Sequence, residues 1–386
     1  MRLHYVPGNH LTLLNSGHEY FPALIAAIDR AQTEIILETY IFADDDTGRR
    51  VAAALSRAAQ RGVTVRVLVD GFGGADFTET LMAPMLAEGV QVLIYRPEIA
   101  RFRLRRRRLR RLHRKLAVID GTTGFVGGIN VIDDLNTPHQ TPPRYDYAVE
   151  VKGPLVAEIY RAMRELWELV VWANLKRRFR LHNEDTAPPR EIAGTQTAAF
   201  VLRNNIRHRR DIEDAYIEAM LGAKREILIA SAYFLPGRRF RRVLLAAAKR
   251  GVKVTILLQG KVEYWLLHYA TKAIYSRLLA NGISLYEYHQ SFLHAKVAVI
   301  DDDWATVGSS NIDPFSLLLA KEANIVVRDA GFSQALRSSV QEAMAGGAHP
   351  LDHHVWRQRG WGSRFLSWAS YQFARLLIEI AGYGRH

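Results

Sequence analysis

The chain has 386 residues, long enough for two or three domains, and carries a formal net charge of +13 at neutral pH. With no cysteine it can form no disulfide, perform no thiol chemistry and build no cysteine-ligated metal site. No apolar run reaches the roughly 18 residues of a transmembrane helix, and the opening Met1-Arg-Leu-His-Tyr-Val-Pro7 lacks the apolar stretch of a signal peptide.

Along the chain, Ser16-Gly-His-Glu19 has capping-box spacing and predicts the start of a first helix. Glu34-Ile-Ile-Leu-Glu-Thr-Tyr-Ile-Phe42 predicts a strand, Arg49 to Gln60 a helix, and Arg61-Gly-Val-Thr-Val-Arg-Val-Leu-Val69 a turn and a second strand. Eight arginines then lie between Arg101 and Arg111 with no acid among them. Running straight into His113, they predict a basic segment beside a site mouth. Arg105, Arg106, Arg107 and Arg108 are candidate contacts for an anionic membrane, although charge alone attracts nucleic acid equally well. The helix holding Trp167 and Trp172 reads as core.

Asn183-Glu-Asp-Thr-Ala-Pro-Pro-Arg-Glu191 is the best linker, bounded here at 183–195. Beyond it the order repeats. Glu226 to Phe234 echoes Glu34 to Phe42, Arg238 to Lys249 is again helical, and Arg250-Gly-Val-Lys-Val-Thr-Ile-Leu-Leu258 echoes Arg61 to Val69. Tyr264-Trp265-Leu-Leu-His-Tyr269 fits a core segment better than an acyl-chain groove. Residues 1–182 and 196–345 therefore form two α/β halves, and 346–386 form a tail outside the duplication. In that tail Leu366, Ala369, Phe373, Leu377 and Ile380 recur at helical spacing beside Trp361 and Trp368. Either an amphipathic helix at a membrane interface or a helix docked on the core would have this pattern.

The duplication is sharpest in one motif. His113-Arg-Lys115-Leu-Ala-Val-Ile-Asp120 is followed by Gly127-Gly128-Ile-Asn130, and His294-Ala-Lys296-Val-Ala-Val-Ile-Asp301 by Gly308-Ser309-Ser-Asn311. Every position recurs at one offset, 181 residues (294 − 113). The Val/Ile runs predict buried strands, on which residues two apart share a face, so each His and Lys point the same way. Asp120 and Asp301 fall on the other face or in the turn and read as structural. Small residues at Gly128 and Ser309 let backbone and the Asn130 and Asn311 carboxamides approach a ligand.

Together the halves offer two imidazoles, two ammoniums and two carboxamides. That set suits a phosphodiester: one neutral histidine attacks phosphorus, the other protonates the leaving alcohol, and the remaining groups hold the phosphoryl oxygens. Fixed cations supply the electrostatics, so neither a metal nor a cofactor is expected.

These motifs resemble the signature of the phospholipase D superfamily, H-x-K-x4-D followed by G-(G/S)-x-N in two copies. The region after Asn311 and the Val-Gly-Gly-Ile-Asn run are most similar to bacterial cardiolipin synthases. The resemblance implies two tandem phospholipase D-like α/β/α sandwich halves about a pseudo-two-fold axis, with the active site at their interface. It adds Asp120 and Asp301 to the catalytic set as motif members, and it implies an orienting carboxylate in each half. Glu322, 28 residues after His294, fits that place; Asp146, 33 residues after His113, fits it in the first half with a change of type and spacing. These carboxylates are expected to serve the histidine of their own half.

The activity implied is phosphatidyl transfer between phospholipids, with phosphatidylglycerol as donor and acceptor, through a phosphohistidine on His113 while His294 acts as acid and then base. Such an enzyme is expected on the cytoplasmic face of the bacterial inner membrane, as a peripheral protein. Phospholipase D hydrolysis, a metal-independent nuclease, and a silent binding module are the alternatives the residues leave open.

Overall fold

The structure is a computed structural model. It describes residues 3–97, 111–138, 140–175, 179, 181, 190–204, 208–261, 265–313, 320–353, 356 and 360–378. Arg105 to Arg108, residues 183–189 of the linker, Tyr264, the segment 314–319 after Asn311, and Ile380 lie outside the described residues.

The first half runs β1 (Val6–Asn15), α1 (Ser16–Arg30), β2 (Glu34–Thr39), α2 (Asp46–Gln60), β3 (Thr64–Asp70), α3 (Ala75–Glu79), α4 (Met82–Ala87) and β4 (Gln91–Tyr95). Then come β5 (Lys115–Ile119), β6 (Thr123–Gly127), β7 (Arg144–Tyr145), β8 (Tyr147–Lys152) and α5 (Val156–Ala173). The second half repeats this as β9 (Gln196–Arg203), α6 (Asp211–Gly222), β10 (Glu226–Ser231), α7 (Arg238–Lys249), β11 (Lys253–Gln259), α8 (Trp265–Leu279) and β12 (Ser284–Tyr288). It continues with β13 (Phe292–Leu293), β14 (Lys296–Ile300), β15 (Trp304–Gly308), β16 (Glu322–Arg328) and α9 (Ala330–Gly347), then β17 (Ala348–Pro350) and α10 (Trp361–Ile378).

Fifteen strands join into one sheet whose order is nearly palindromic. From the centre, β1-β8-β6-β5-β2-β3-β4 mirrors β9-β16-β15-β14-β10-β11-β12, and β17 is added beside β12. The seam is antiparallel, through Val6 opposite Ala198 and Asn9 opposite Gln196. β2, β3 and β4 are parallel, as are β10, β11 and β12, because helices carry the chain back between them. The expected order opened each half on a helix; β1 and β9 instead precede those helices and form the seam.

Three apolar layers hold this arrangement. On the outer side of the first half, Leu24 and Ile28 of α1 and Val51 and Leu55 of α2 pack against Ile35, Val65 and Val67. Ile212, Leu244, Ile256 and Leu278 make the equivalent layer in the second half. Between them Ile159 and Met163 of α5, Leu336 and Val340 of α9, and strand residues of both halves, including Val126, Val149, Val299 and Ile325, form one shared cluster. Burial of each such side chain stabilises by about 1.5–3 kcal/mol, so the halves are joined by core.

Some local expectations shift. The cap of α1 is Asn15, not Ser16, with Glu19 Oε2 accepting from the Asn15 amide at 2.7 Å. Trp167 is core at 1% exposure, whereas Trp172 is 74% exposed. The sheet runs through Pro350, past the boundary expected at 345. α10 docks along α8 with Ser367, Ser370 and Ala374 buried, while Trp361, Phe365, Trp368 and Phe373 are exposed. Among the described residues no helix is long and apolar enough to cross a membrane.

Candidate active site

Both histidines sit just ahead of a motif strand, on short segments that cross to the opposite half. Before β14, Phe292 and Leu293 pair in parallel with Arg144 and Tyr145, and the His294 amide donates to Tyr145 O at 2.8 Å. Before β5, Leu112 bridges Lys321, and the His113 amide donates to Lys321 O at 2.9 Å. Tyr145 and Lys321 each immediately precede a carboxylate. Each histidine is thereby delivered to the acid of the other half.

The side chains complete this crossing. His113 Nδ1 lies 3.0 Å from Glu322 Oε1, and His294 Nδ1 lies 2.7 Å from Asp146 Oδ2. The pairing expected within each half is therefore corrected: Glu322 serves His113 and Asp146 serves His294. The two acids are nonetheless equivalent in the fold. Gly127 faces Ala148 in the first half as Gly308 faces Asn324 in the second, which places Asp146 and Glu322 two residues upstream at matching register. Both acids are buried, while the imidazoles keep 18% and 14% side-chain exposure. With Nδ1 held by a carboxylate, Nε2 is left as the working nitrogen.

Gly128 and Ser309 occupy matching positions and act differently. A β-carbon on Gly128 would stand 2.4 Å from Asp146 Oδ1, so the short acid closes on bare backbone. Ser309 instead donates to the longer Glu322 at 2.5 Å and accepts from the Ala323 amide at 3.0 Å. Asn130 Oδ1 accepts from the Ile41 amide at 3.1 Å, while the buried Asn311 Oδ1 has no hydrogen-bond partner among the described residues.

The lysines are buried and electrostatically coupled. Lys115 Nζ donates to His113 O at 2.6 Å; burial pushes its pKa down to about 7, with Lys296 adding to the fall against the pull of Glu322 and Asp146. Lys296 Nζ sits 2.7 Å from His294 Nδ1 and 3.3 Å from Asp146 Oδ2. An ammonium and an imidazolium at that distance repel. Burial, and then Lys296, accordingly push His294 down to about 3 despite the hydrogen bond and charge of Asp146. Asp146 is held below the usual carboxylate range: burial raises it, but Lys296 and His294 together outweigh that.

Asp120 and Asp301 are not in this cluster, which corrects their place in the catalytic set. Asp120 accepts from the amides of Gln32, Thr33 and Glu34 at 2.8–3.0 Å, and Asp301 from those of Lys224, Arg225 and Glu226 over the same range. Each clamps the turn that leads into β2 or β10, from a left-handed backbone conformation with φ of 50° and 47°. The residue-level reading of them as structural stands.

A scan of the chain matches the family described as cardiolipin synthase, PLD-like domain, over residues 24–167 and 216–344. The chain belongs to this family. It is 37% identical over 383 residues to cardiolipin synthase B of Escherichia coli strain K12, covering 99% of this chain and 92% of that one. It is 30% identical over 336 residues to the probable cardiolipin synthase YwiE of Bacillus subtilis strain 168, covering 87% and 66%. Among solved structures, a phosphatidylserine synthase of Haemophilus influenzae Rd KW20 shares the fold with a TM-score of 0.70 at 14% identity, over 97% of this chain and 95% of that one.

Within this cardiolipin synthase family member, two further groups border the site. Tyr40, directly after β2, sets its ring 5.0 Å from the His113 ring and tilted 58° to it, with Lys115 Nζ 5.4 Å from the Tyr40 ring centre. Phe292 lies 5.7 Å from the His294 ring and carries the Arg144 guanidinium 5.5 Å from its centre. The motif repeat hides Tyr40, because its counterpart is Ala232; the signal was its place at the end of the strand beside the motif.

Proposed function

We propose that this protein is a cardiolipin synthase that moves a phosphatidyl group from one phosphatidylglycerol to the free hydroxyl of another through a phosphohistidine. The observation that carries this is the crossed pair of imidazole–carboxylate contacts, with buried Lys115 and Lys296 beside them, in a chain similar to cardiolipin synthases over nearly its whole length. His113 Nε2 attacks phosphorus, the bond to the leaving glycerol oxygen breaks, and His294 gives that oxygen its proton. The acceptor hydroxyl then loses its proton to His294, attacks phosphorus and releases His113. Lys115, Lys296, Asn130 and Asn311 hold the phosphoryl oxygens.

For His294 to donate, it must first gain a proton that the resting site denies it. That proton comes from solvent as substrate binds: the negative charge of the phosphoryl group, added to that of Asp146, favours the imidazolium against burial and Lys296, which keep the ring neutral at rest. The protein works as a peripheral enzyme on an anionic membrane, at the cytoplasmic face of the bacterial inner membrane. Nucleic acid is not its substrate in this reading.

Purified protein given labelled phosphatidylglycerol in EDTA should yield cardiolipin and glycerol. Phosphatidic acid as the main product would mean that water is the acceptor, and cleavage of single-stranded DNA in place of lipid would turn the assignment to a nuclease. His113→Ala and His294→Ala should each abolish transfer, because the two imidazoles act as one unit. His294→Ala given a p-nitrophenyl phosphodiester, whose leaving group needs no proton, should accumulate phosphohistidine at His113. An adduct on His294 in His113→Ala would reverse the roles.

A further inference from the structure

On the outer side of the second half, α7, α8 and α10 meet. α10 lies along α8, and Arg241 of α7 reaches the Tyr371 hydroxyl of α10 at 3.4 Å. α7 buries Phe240, Leu244, Leu245 and Ala247, which turns its arginines outward. Its first-half counterpart α2 is charge-balanced there: Arg49 pairs with Asp44 at 2.6 Å and Arg57 with Asp29 at 2.8 Å. α7 has no such balance. Arg239 alone pairs, with Asp214, while Arg238, Arg242, Lys249 and Arg277 of α8 have no ion-pair partner among the described residues. Those four cations line one groove of about 430 Å³.

Beside that groove, α10 is docked in an unusual sense. It buries Ser367, Ser370 and Ala374, and it exposes Trp361 at 81%, Phe365 at 54% and Trp368 at 56%. Trp361 and Phe365 stack at 5.8 Å, and Phe365 and Trp368 meet at 6.0 Å. A helix serving only the core would turn those rings inward. The two are joined through Arg241, which lines the groove and reaches Tyr371, and through Arg277 of the groove, which directly follows Ser276 in the cavity that Trp368 lines. Cations and exposed rings on adjoining helices suit an interface with polar anions above apolar chains.

We propose that this face, the basic groove of α7 and α8 together with the aromatic row of α10, seats the enzyme on an anionic phospholipid bilayer. Lipid phosphates enter the groove and the rings lie at headgroup level. The surface deepens the phospholipid reading of the active site and rests on it. α8 links the two: its His268 and Thr271 line a small cavity with Gln259, whose Oε1 accepts from the amide of Leu293, next to His294.

The test is sedimentation of the full chain with vesicles of phosphatidylglycerol in phosphatidylcholine, and with pure phosphatidylcholine. Neutralising Arg238, Arg242 and Lys249 to Gln should weaken binding to the anionic vesicles about fivefold per residue, about a hundredfold in all. Trp361→Ser with Phe365→Ser and Trp368→Ser should weaken binding to both vesicle types. Each variant should turn over dispersed short-chain phosphatidylglycerol at the wild-type rate while losing turnover of vesicle lipid. Wild-type vesicle binding by either variant overturns the proposal, and a dimer that either variant dissolves without change in vesicle binding assigns the face to a second copy of this chain. Failure of the unmodified protein to act on dispersed phosphatidylglycerol would instead overturn the lipid-transfer reading, whatever the vesicles show.

Discussion

At the scale of single residues, the site is defined by protons as much as by positions. Lys115 is a buried ammonium whose pKa is pushed down to about 7, so in the free enzyme its charge is lost as pH rises through neutrality. A bound phosphoryl oxygen favours the charged form. Binding above pH 7 should therefore take up protons from solution, and at pH 6, where Lys115 is already charged, its share should vanish. Calorimetry of short-chain phosphatidylglycerol binding to His113→Ala, in two buffers of different ionisation enthalpy, measures this. The guanidinium in Lys115→Arg stays charged throughout, so that substitution should lower the uptake between pH 7 and 8.5. Equal uptake with either residue would mean that Lys115 does not titrate on binding. His294 is the other proton store, held neutral at rest by burial and by Lys296.

At the scale of elements, strand order and helix packing decide which residues meet. The repeated motif was enough to read both strands, both histidines and both lysines, while Asp146 and Glu322 came from the family resemblance, because they break the 181-residue offset. The crossing was not legible, because it depends on Phe292–Leu293 pairing with Arg144–Tyr145 and on Leu112 pairing with Lys321, contacts between residues far apart in sequence. The seam strands were obscured too: β1 starts on Val6-Pro-Gly-Asn9, which reads as a turn, and β9 follows directly on the linker. For α10 the periodicity was visible, but which face docks was not, since its buried row is Ser367, Ser370 and Ala374. The crossing makes Gly128→Ser informative. A side chain there must displace Asp146 from His294, so transfer should fall about a hundredfold or more, as expected for loss of general acid–base catalysis. Adding Asp146→Glu would copy the Ser309–Glu322 arrangement and should restore part of the rate. Wild-type turnover by Gly128→Ser would show that the close approach of Asp146 to Gly128 is dispensable.

At the scale of the whole molecule, neither half owns a complete catalytic unit. Each imidazole belongs to one half and its carboxylate to the other, and the same division runs through the core. β1 pairs with β9 across the seam, and Val126, Val149 and Met163 of one half share a single buried cluster with Val299, Ile325 and Leu336 of the other. Tyr145 and Tyr147 of the first half also meet the Ser339 hydroxyl of α9, each at 3.0 Å. These contacts, and not the covalent link, should therefore hold the two halves in register. The prediction is that a protease site placed within residues 183–189 can be cut after folding without loss of activity. The two fragments should elute together on native gel filtration and separate only in denaturant, because parting them exposes the shared apolar cluster to water. Transfer of phosphatidyl groups by the cut protein should stay within about twofold of the intact chain. Separation of the fragments in native buffer would show that the linker, rather than the seam, brings His113 to Glu322 and His294 to Asp146.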